Sequence, residues 1–376
     1  MDLAVILTYR CNSKCSMCYI WQNPSLPEEE ISLETLDKIP PGFDYLNLTG
    51  GEPTLRKDLE EIVDILYPKA MTLEISSNGL RPHKIEPIIK KYPDVKIRFS
   101  LEGFEMTNNR IRGENDGFAT KVNGLLRLQE LGGKDLGFAI TIQDDNASDL
   151  VKLFQFSLQQ GFELATSTLH NGFQFHKNDN FPYDPMRIAG EIENLIVEQL
   201  RTNNVKNWFR AYLNLGLVSK VLGHQRLMRC TALMDFVFID PWCDVFACNV
   251  RPDLKAGNLQ RQSWNEILDG PRANQIRNQV FNCQQNCWMV GSAKTAMRNS
   301  RFPRIPKITP LAWVVENKIN VTLGRELDFD NYIDHSNVHK KLTPSVRKFY
   351  LDQSVKRKVQ KIQDIHYDHI GEFVNK

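Results

Sequence analysis

Between Met1 and about Thr168 short β-rich apolar runs alternate with amphipathic helical stretches, six times over, and few folds accept that order. The strand-like runs are Leu3 to Leu7, Tyr45 to Leu48, Thr72 to Ile75, Lys96 to Ser100, Leu136 to Ile142 and Glu163 to Thr168. Between them, Leu33 to Ile39, Leu59 to Leu66, Lys84 to Lys91, Ala119 to Leu131 and Ala147 to Gln160 carry apolar residues at three- and four-residue spacing, the period of one helix face. This alternation predicts a parallel sheet with crossover helices. In such sheets the loops at the carboxyl ends of the strands gather on one rim and carry function. Polar, glycine-rich segments fall there: Thr8-Tyr-Arg-Cys11, Thr49-Gly-Gly-Glu-Pro53, Ser76-Ser-Asn-Gly79 and Ser100-Leu-Glu-Gly103.

The first of these loops runs into Cys11, Cys15 and Cys18, three thiols within eight residues, and no further cysteine occurs until Cys230. A four-iron cluster held by three cysteines keeps one iron free for a small ligand, whereas a closed structural site takes four protein ligands. Zinc completed by a folded-in histidine or distant cysteine is the competing occupant; the nearest histidine in sequence is His83. The eight cysteines form two clusters, residues 11 to 18 and 230 to 287, a distribution that in a reducing compartment points to metal rather than to disulfides.

With 47 basic against 45 acidic residues the net charge is +2, which gives no electrostatic argument for a nucleic-acid partner. The start of the chain lacks the pattern of a secretory signal, and no stretch reaches the roughly 18 apolar residues of a membrane span, so a cytoplasmic protein is expected.

Residues 184 to 223 read as helical, with Ile188, Ile192, Leu195, Ile196 and Leu200 on one stripe. A second unit follows, with Cys230, Cys243, Cys248, Cys283 and Cys287 and two β-like runs, Phe236 to Ile239 and Asp244 to Ala247, around the turn Asp240-Pro-Trp-Cys243. The expected division is 1–180 for the sheet core, 181–227 for a helical connector, 228–290 for the cysteine-rich unit and 291–376 for a helical extension with basic stretches such as Val346 to Ile362. His170, Asn171 and His176 follow the sixth strand and face the rim, as substrate contacts or as solvated loop residues.

The spacing Cys-x3-Cys-x2-Cys, followed about thirty residues later by Gly50-Gly51-Glu52-Pro53, resembles the radical SAM enzymes, and the resemblance covers nearly all of the first 290 residues. It implies an α/β fold, a partial (β/α)6 parallel barrel. It further implies a 4Fe-4S cluster on Cys11, Cys15 and Cys18 whose open iron binds S-adenosylmethionine, reductive cleavage to a 5′-deoxyadenosyl radical, and hydrogen abstraction from a substrate. Gly50 and Gly51 then let backbone approach the methionyl amine, Glu52 accepts from it, and Pro53 opens the following helical turn. Ser76, Asn78, Ser100 and Glu102 stand where the resemblance places contacts to ribose and methionyl groups, and Arg112 where a guanidinium meets the cofactor carboxylate. A turn at Asn78-Gly79 and a structural ion pair at Arg112 are the alternatives.

Cys230, Cys248, Cys283 and Cys287 resemble the auxiliary-cluster region of the SPASM and Twitch branch, which implies a second 4Fe-4S cluster with no open iron; structural zinc is the alternative. The full SPASM pattern uses seven cysteines for two auxiliary clusters, and five are present here. Cys243 is the odd one: a spare thiol in the turn, a catalytic acid or hydrogen donor near substrate, or an alternative ligand. The implied substrate is a peptide or protein, with a sugar or aminocyclitol as the second reading. With the barrel expected to start at Leu3, leader recognition is expected from elsewhere. Flavodoxin or ferredoxin is the kind of electron donor implied. A non-catalytic iron-sulfur or zinc adaptor is the rival from another class.

Overall fold

A computed structural model describes residues 1–299 and 309–336, so the basic stretch expected at Val346 to Ile362 lies outside the described residues. Nine strands form one sheet in the order β6-β5-β4-β3-β2-β1-β7-β8-β9. They are β1 (Asp2–Ile6), β2 (Tyr45–Thr49), β3 (Leu73–Ser77), β4 (Lys96–Ser100), β5 (Leu136–Ile142), β6 (Glu163–Thr168), β7 (Phe236–Ile239), β8 (Asp244–Phe246) and β9 (Lys255–Asn258). The first six pair in parallel, in chain order. β7 continues the parallel order on the other side of β1, in the register Asp2↔Phe236, and β8 and β9 add an antiparallel meander.

The helices are α1 (Leu33–Asp37), α2 (Leu59–Leu66), α3 (Glu86–Lys91), α4 (Glu105–Arg112), α5 (Gly117–Glu130), α6 (Leu150–Gln159), α7 (Pro185–Arg201), α8 (Val205–Val221), α9 (Trp264–Asp269), α10 (Pro271–Phe281), α11 (Val290–Asn299) and α12 (Pro310–Thr322). Their starts follow ordinary capping chemistry. Ser32 accepts from Thr35 N at α1, Asp184 from Arg187 N ahead of Pro185 at α7, and Ser263 and Glu266 form a capping box at α9. The expected helix over 184 to 223 is two, because Thr202-Asn203-Asn204 breaks it and Asn204 caps the second by accepting from Lys206 N.

Alternation along the strands sorts the two faces of the sheet. On β2, Leu46 and Leu48 are buried in the main core, which also holds Ile62 and Val63 of α2, while Tyr45, Asn47 and Thr49 are half-buried. The polar face is tied together along the strands. Asn47 Nδ2 donates to Glu74 at 2.9 Å and to Ser76 at 2.8 Å, Tyr45 donates to Glu74, and Arg98 pairs with Asp135 and Glu163. Nearer the carboxyl rim a second apolar cluster of Ile6, Tyr9, Ile20, Phe236, Phe238 and Phe246 packs against Cys11 and Cys18. The first cysteine loop is thereby seated against β7 and β8. Among the described residues no helix is long and apolar enough to cross a membrane.

Candidate functional site

The loop after β1 is fixed at its root by a buried carboxylate that the sequence reading did not single out. Glu30 accepts from Arg10 Nε and Nη2, both at 2.8 Å, from Ser25 Oγ at 2.8 Å and from Thr8 Oγ1, while Ser25 Oγ accepts from Tyr9 N at 2.9 Å. Burial alone raises the Glu30 carboxyl, but the hydrogen bonds from Arg10, Thr8 and Ser25 together outweigh it and hold the group below the ordinary carboxylate range. A carboxyl depressed in this way contributes stability that is complete above its unfolded value and is lost as pH falls through the lower folded value. Glu30→Gln is therefore expected to cost about 2 kcal/mol at pH 7, with the gap to the parent closing in acid. Urea midpoints at pH 7 and below pH 4 check this; an equal gap at both would reject it.

Further along, the loop is clamped by the α4 end. Lys14 N donates to Arg112 O at 3.0 Å, Ser16 N to Ile111 O at 2.9 Å, and Ser13 Oγ to Glu114 at 2.6 Å. Gly113 turns back at φ 63°, and a Cβ there would sit 3.0 Å from Lys14 O, so the cap requires glycine. On the other side Asn78 Nδ2 donates to Asn12 Oδ1 at 2.7 Å. The loop thus hangs from the rims of β3 and α4, with three free thiols along it.

The Gly-Gly-Glu-Pro segment also serves this loop. Gly51 N donates to Thr8 O at 2.7 Å and Glu52 N to Arg10 O at 2.8 Å, which prolongs the β1–β2 pairing beyond the strands. A Cβ on Gly51 would lie 2.3 Å from Arg10 O and one on Gly50 2.7 Å from Thr8 O, so both glycines admit the neighbouring backbone. Glu52 is fully buried; its Oε1 accepts from Thr54 N at 3.0 Å, Thr54 Oγ1 at 2.7 Å and Ser77 Oγ at 2.8 Å, and its Oε2 from Asn78 N at 2.6 Å. A carboxylate offers about four acceptor sites, two on each oxygen, so Oε1 is fully used while Oε2 keeps one site for a further donor. Pro53 opens the short 3-10 turn Pro53–Leu55, Ser76 faces Asn47, and Ser100 ends β4 half-buried.

Arg112 is buried between Glu102, 3.0 Å from Nη1, and Glu114, 3.2 Å from Nε. Glu102 also accepts from Thr141 N at 2.7 Å, so in this structure it holds the guanidinium and the β5 rim. Burial raises the Glu102 carboxyl above its usual range despite Arg112. Burial likewise pushes the Cys11 thiol up to about 12 and Cys18 to about 11, with the Cys15 charge acting on both and Arg112 opposing. Binding to a metal deprotonates such thiols outright.

The second cysteine set gathers around a cation. Arg226, buried, donates through Nη1 to Cys287 O at 3.1 Å, Cys287 Sγ at 3.7 Å and Ser292 Oγ at 3.2 Å, and it stands over the Trp288 ring. Burial lowers its proton affinity, and the charges of Cys230, Cys287 and Cys283 more than restore it. Cys248 is pushed to about 11 by burial and by Cys287 and Cys230. The four cysteines therefore lie within one another's electrostatic reach, and Thr231 Oγ1 beside Cys230 is buried with no hydrogen-bond partner. Cys243 instead lies in the main core at φ 68°, its thiol pushed up to about 11 by burial and the nearby Asp240 and Asp244.

A cavity of about 150 Å³ adjoins Cys287 and is lined also by Thr168, His170, Asn171, Asn180 and Lys220. His170 is not a solvated loop residue. Its Nδ1 lies 3.2 Å from Thr168 O, a carbonyl that can only accept, so Nδ1 carries the proton and the buried, unpartnered Nε2 is a bare acceptor. Burial, and then Lys220, lower its pKa to about 3. Lys220 donates to Thr168 Oγ1 at 2.8 Å and Leu169 O at 2.7 Å, and burial brings it to about 8. Asn180 links this region to the first cysteine loop through Met17 O at 3.0 Å. His176 sits at φ 51° with its ring edge-on to Tyr9.

Among the described residues no three His, Cys, Asp or Glu side chains converge closely enough to share a single ion. Four thiols around a buried guanidinium, with an orphaned hydroxyl beside Cys230, have the donor chemistry of an anionic iron-sulfur cluster. These features define an α/β protein with a parallel-sheet core, three cysteines on a loop at its rim and a second set of four.

Residues 5–157 match the radical SAM superfamily and form a radical SAM domain, and residues 230–288 match SPASM, an iron-sulfur cluster-binding domain. The cofactors that these domains imply are S-adenosylmethionine with its 4Fe-4S cluster and an auxiliary 4Fe-4S cluster. Among curated relatives, the Fe-coproporphyrin III synthase of Methanosarcina barkeri is 34% identical over 39% of this chain and 38% of its own length. The sporulation killing factor maturation protein SkfB of Bacillus subtilis is 28% identical over 45% of this chain and 44% of its own. The chain thus aligns with less than half the length of either. The solved structure of native anSMEcpe with bound AdoMet and Cp18Cys peptide shares the fold, with a TM-score of 0.58 at 14% identity over 86% of this chain and 96% of that one.

Proposed function

We propose that this chain is an S-adenosylmethionine-dependent radical enzyme that modifies a peptide or protein. The observation that carries the reading is the set of three, not four, free thiols on the β1 loop, held by Gly51, Asn78 and the α4 end with Arg112 beside them. When bound there, the first cluster supplies the electron that cleaves S-adenosylmethionine reductively. The chain's own part is to hold and shield: Arg112, fixed by Glu102 and Glu114, offers a guanidinium to a carboxylate, and Ser76, Ser77, Asn78 and Ser100 present polar groups along the same rim. A maturation protein among the relatives, and the fold shared with a structure that holds a peptide, support the substrate class. We assign Cys243 as a buried core thiol rather than a catalytic group, because it is packed in the main core.

The test is anaerobic reconstitution followed by reduction in the presence of S-adenosylmethionine. About eight irons per chain are expected from two clusters, with 5′-deoxyadenosine formed and a mass change on peptides encoded beside the gene. Fully coordinated zinc at Cys11, Cys15 and Cys18 would reject the chemistry. 5′-Deoxyadenosine coupled to turnover of a sugar instead would reject the substrate class.

A further inference from the structure

Two cations, the buried Arg226 and the half-buried Lys220, stand beside the four-cysteine site, and among the described residues neither has a carboxylate partner. Among the described residues every hydrogen-bond partner of Arg226 is a carbonyl, a hydroxyl or the Cys287 thiol, and every partner of Lys220 is a carbonyl or the Thr168 hydroxyl. The opposing charges that Arg226 feels are those of Cys230, Cys283 and Cys287, and Lys220 feels that of Cys287. Among the described residues the other buried cations are paired with carboxylates, while half-buried Lys318, like Lys220, meets only neutral oxygens. Arg98 has Glu74, Asp135 and Glu163, Arg112 has Glu102 and Glu114, and Lys121 has Glu114. Burying a cation without an anion is costly, and the anion within reach of these two is the cysteine site itself, once loaded and negatively charged.

We propose that Arg226 and Lys220 are the built-in counter-charges of the auxiliary cluster and that they raise its reduction potential, so that it is poised to accept an electron. The inference rests on the reading that these cysteines hold a 4Fe-4S cluster. Reduction adds one negative charge in a buried place, and a fixed cation nearby favours the reduced form. Unit charges about 10 Å apart at an effective dielectric of about 20 shift such an equilibrium roughly tenfold. Arg226 adds direct donors to Cys287, and hydrogen bonds to cluster sulfurs act in the same direction. The assignment makes both positioning residues for electron transfer; neither is placed against substrate.

The experiment uses the full chain with Cys11, Cys15 and Cys18 replaced by alanine, so that only the auxiliary cluster reports. Its one-electron midpoint is read by electron paramagnetic resonance during an anaerobic redox titration. Arg226→Gln and Lys220→Met are each expected to lower the reduction equilibrium at least tenfold, which is 59 mV for one electron, and Arg226→Lys to recover most of the loss. Should Arg226→Gln fail to retain iron, retention by Arg226→Lys supports a charge requirement and loss from both overturns it, with Lys220→Met still giving a potential. Four irons with an unmoved midpoint in the charge-removed variants overturn this proposal alone. Zinc in the parent chain overturns it together with the reading beneath it.

Discussion

Gly51→Ala is expected to empty the first cysteine site and to lower stability by about 3 kcal/mol. The added Cβ would meet Arg10 O at 2.3 Å and Arg10 C at 2.8 Å, both backbone atoms that cannot rotate away. Relief requires the two chains to part, which breaks the bonds from Gly51 N to Thr8 O and from Glu52 N to Arg10 O. The cysteine loop then loses the register that fixes Cys11. Iron content after reconstitution should fall by about half, with the auxiliary cluster kept. A variant that binds iron and melts like the parent would refute this account of the glycine.

Arg112→Met is the second large effect, about 3 to 5 kcal/mol at neutral pH, because it strands Glu102 as a buried charge. The sign with pH is fixed. Burial already raises the Glu102 carboxyl and Arg112 opposes it, so without Arg112 the group rises further. A carboxyl raised in the folded state favours folding in its protonated form. The variant's deficit should therefore shrink toward pH 4 and widen as pH climbs through the folded value. Denaturation at pH 5 and pH 7 measures it, and a deficit that is constant or larger in acid would show that Glu102 is not stranded.

Much of this was written in local pattern. The strands β1 to β6 lie within a residue or two of the apolar runs, because short β-rich segments between polar loops leave little freedom in placement. The three cysteines and Gly-Gly-Glu-Pro are likewise contiguous, and both fall on the rim where a parallel sheet collects its loops. What escaped was non-local or atypical. α4 was missed because its sequence, Glu105-Met-Thr-Asn-Asn-Arg-Ile-Arg112, has no apolar stripe, and its Met106 is exposed. Glu30 gives no motif, since its partners at Thr8, Arg10 and Ser25 meet it only after folding. Arg226, four residues ahead of Cys230, left one weak signal, a basic residue beside a cysteine set. The two glycines were legible as a close approach, but the neighbour they admit in this structure is the cysteine loop.

The parallel pairing of β7 with β1 carries a consequence for any attempt to divide the protein. A fragment ending at the connector would bare the outer backbone of β1, an open sheet edge that templates association with other chains. It would also strip Phe236, Phe238 and Phe246 from the cluster that packs on Cys11 and Cys18. The amino-terminal metal loop therefore depends, for part of its wall, on residues more than two hundred positions downstream, and the two halves are best expressed as one piece.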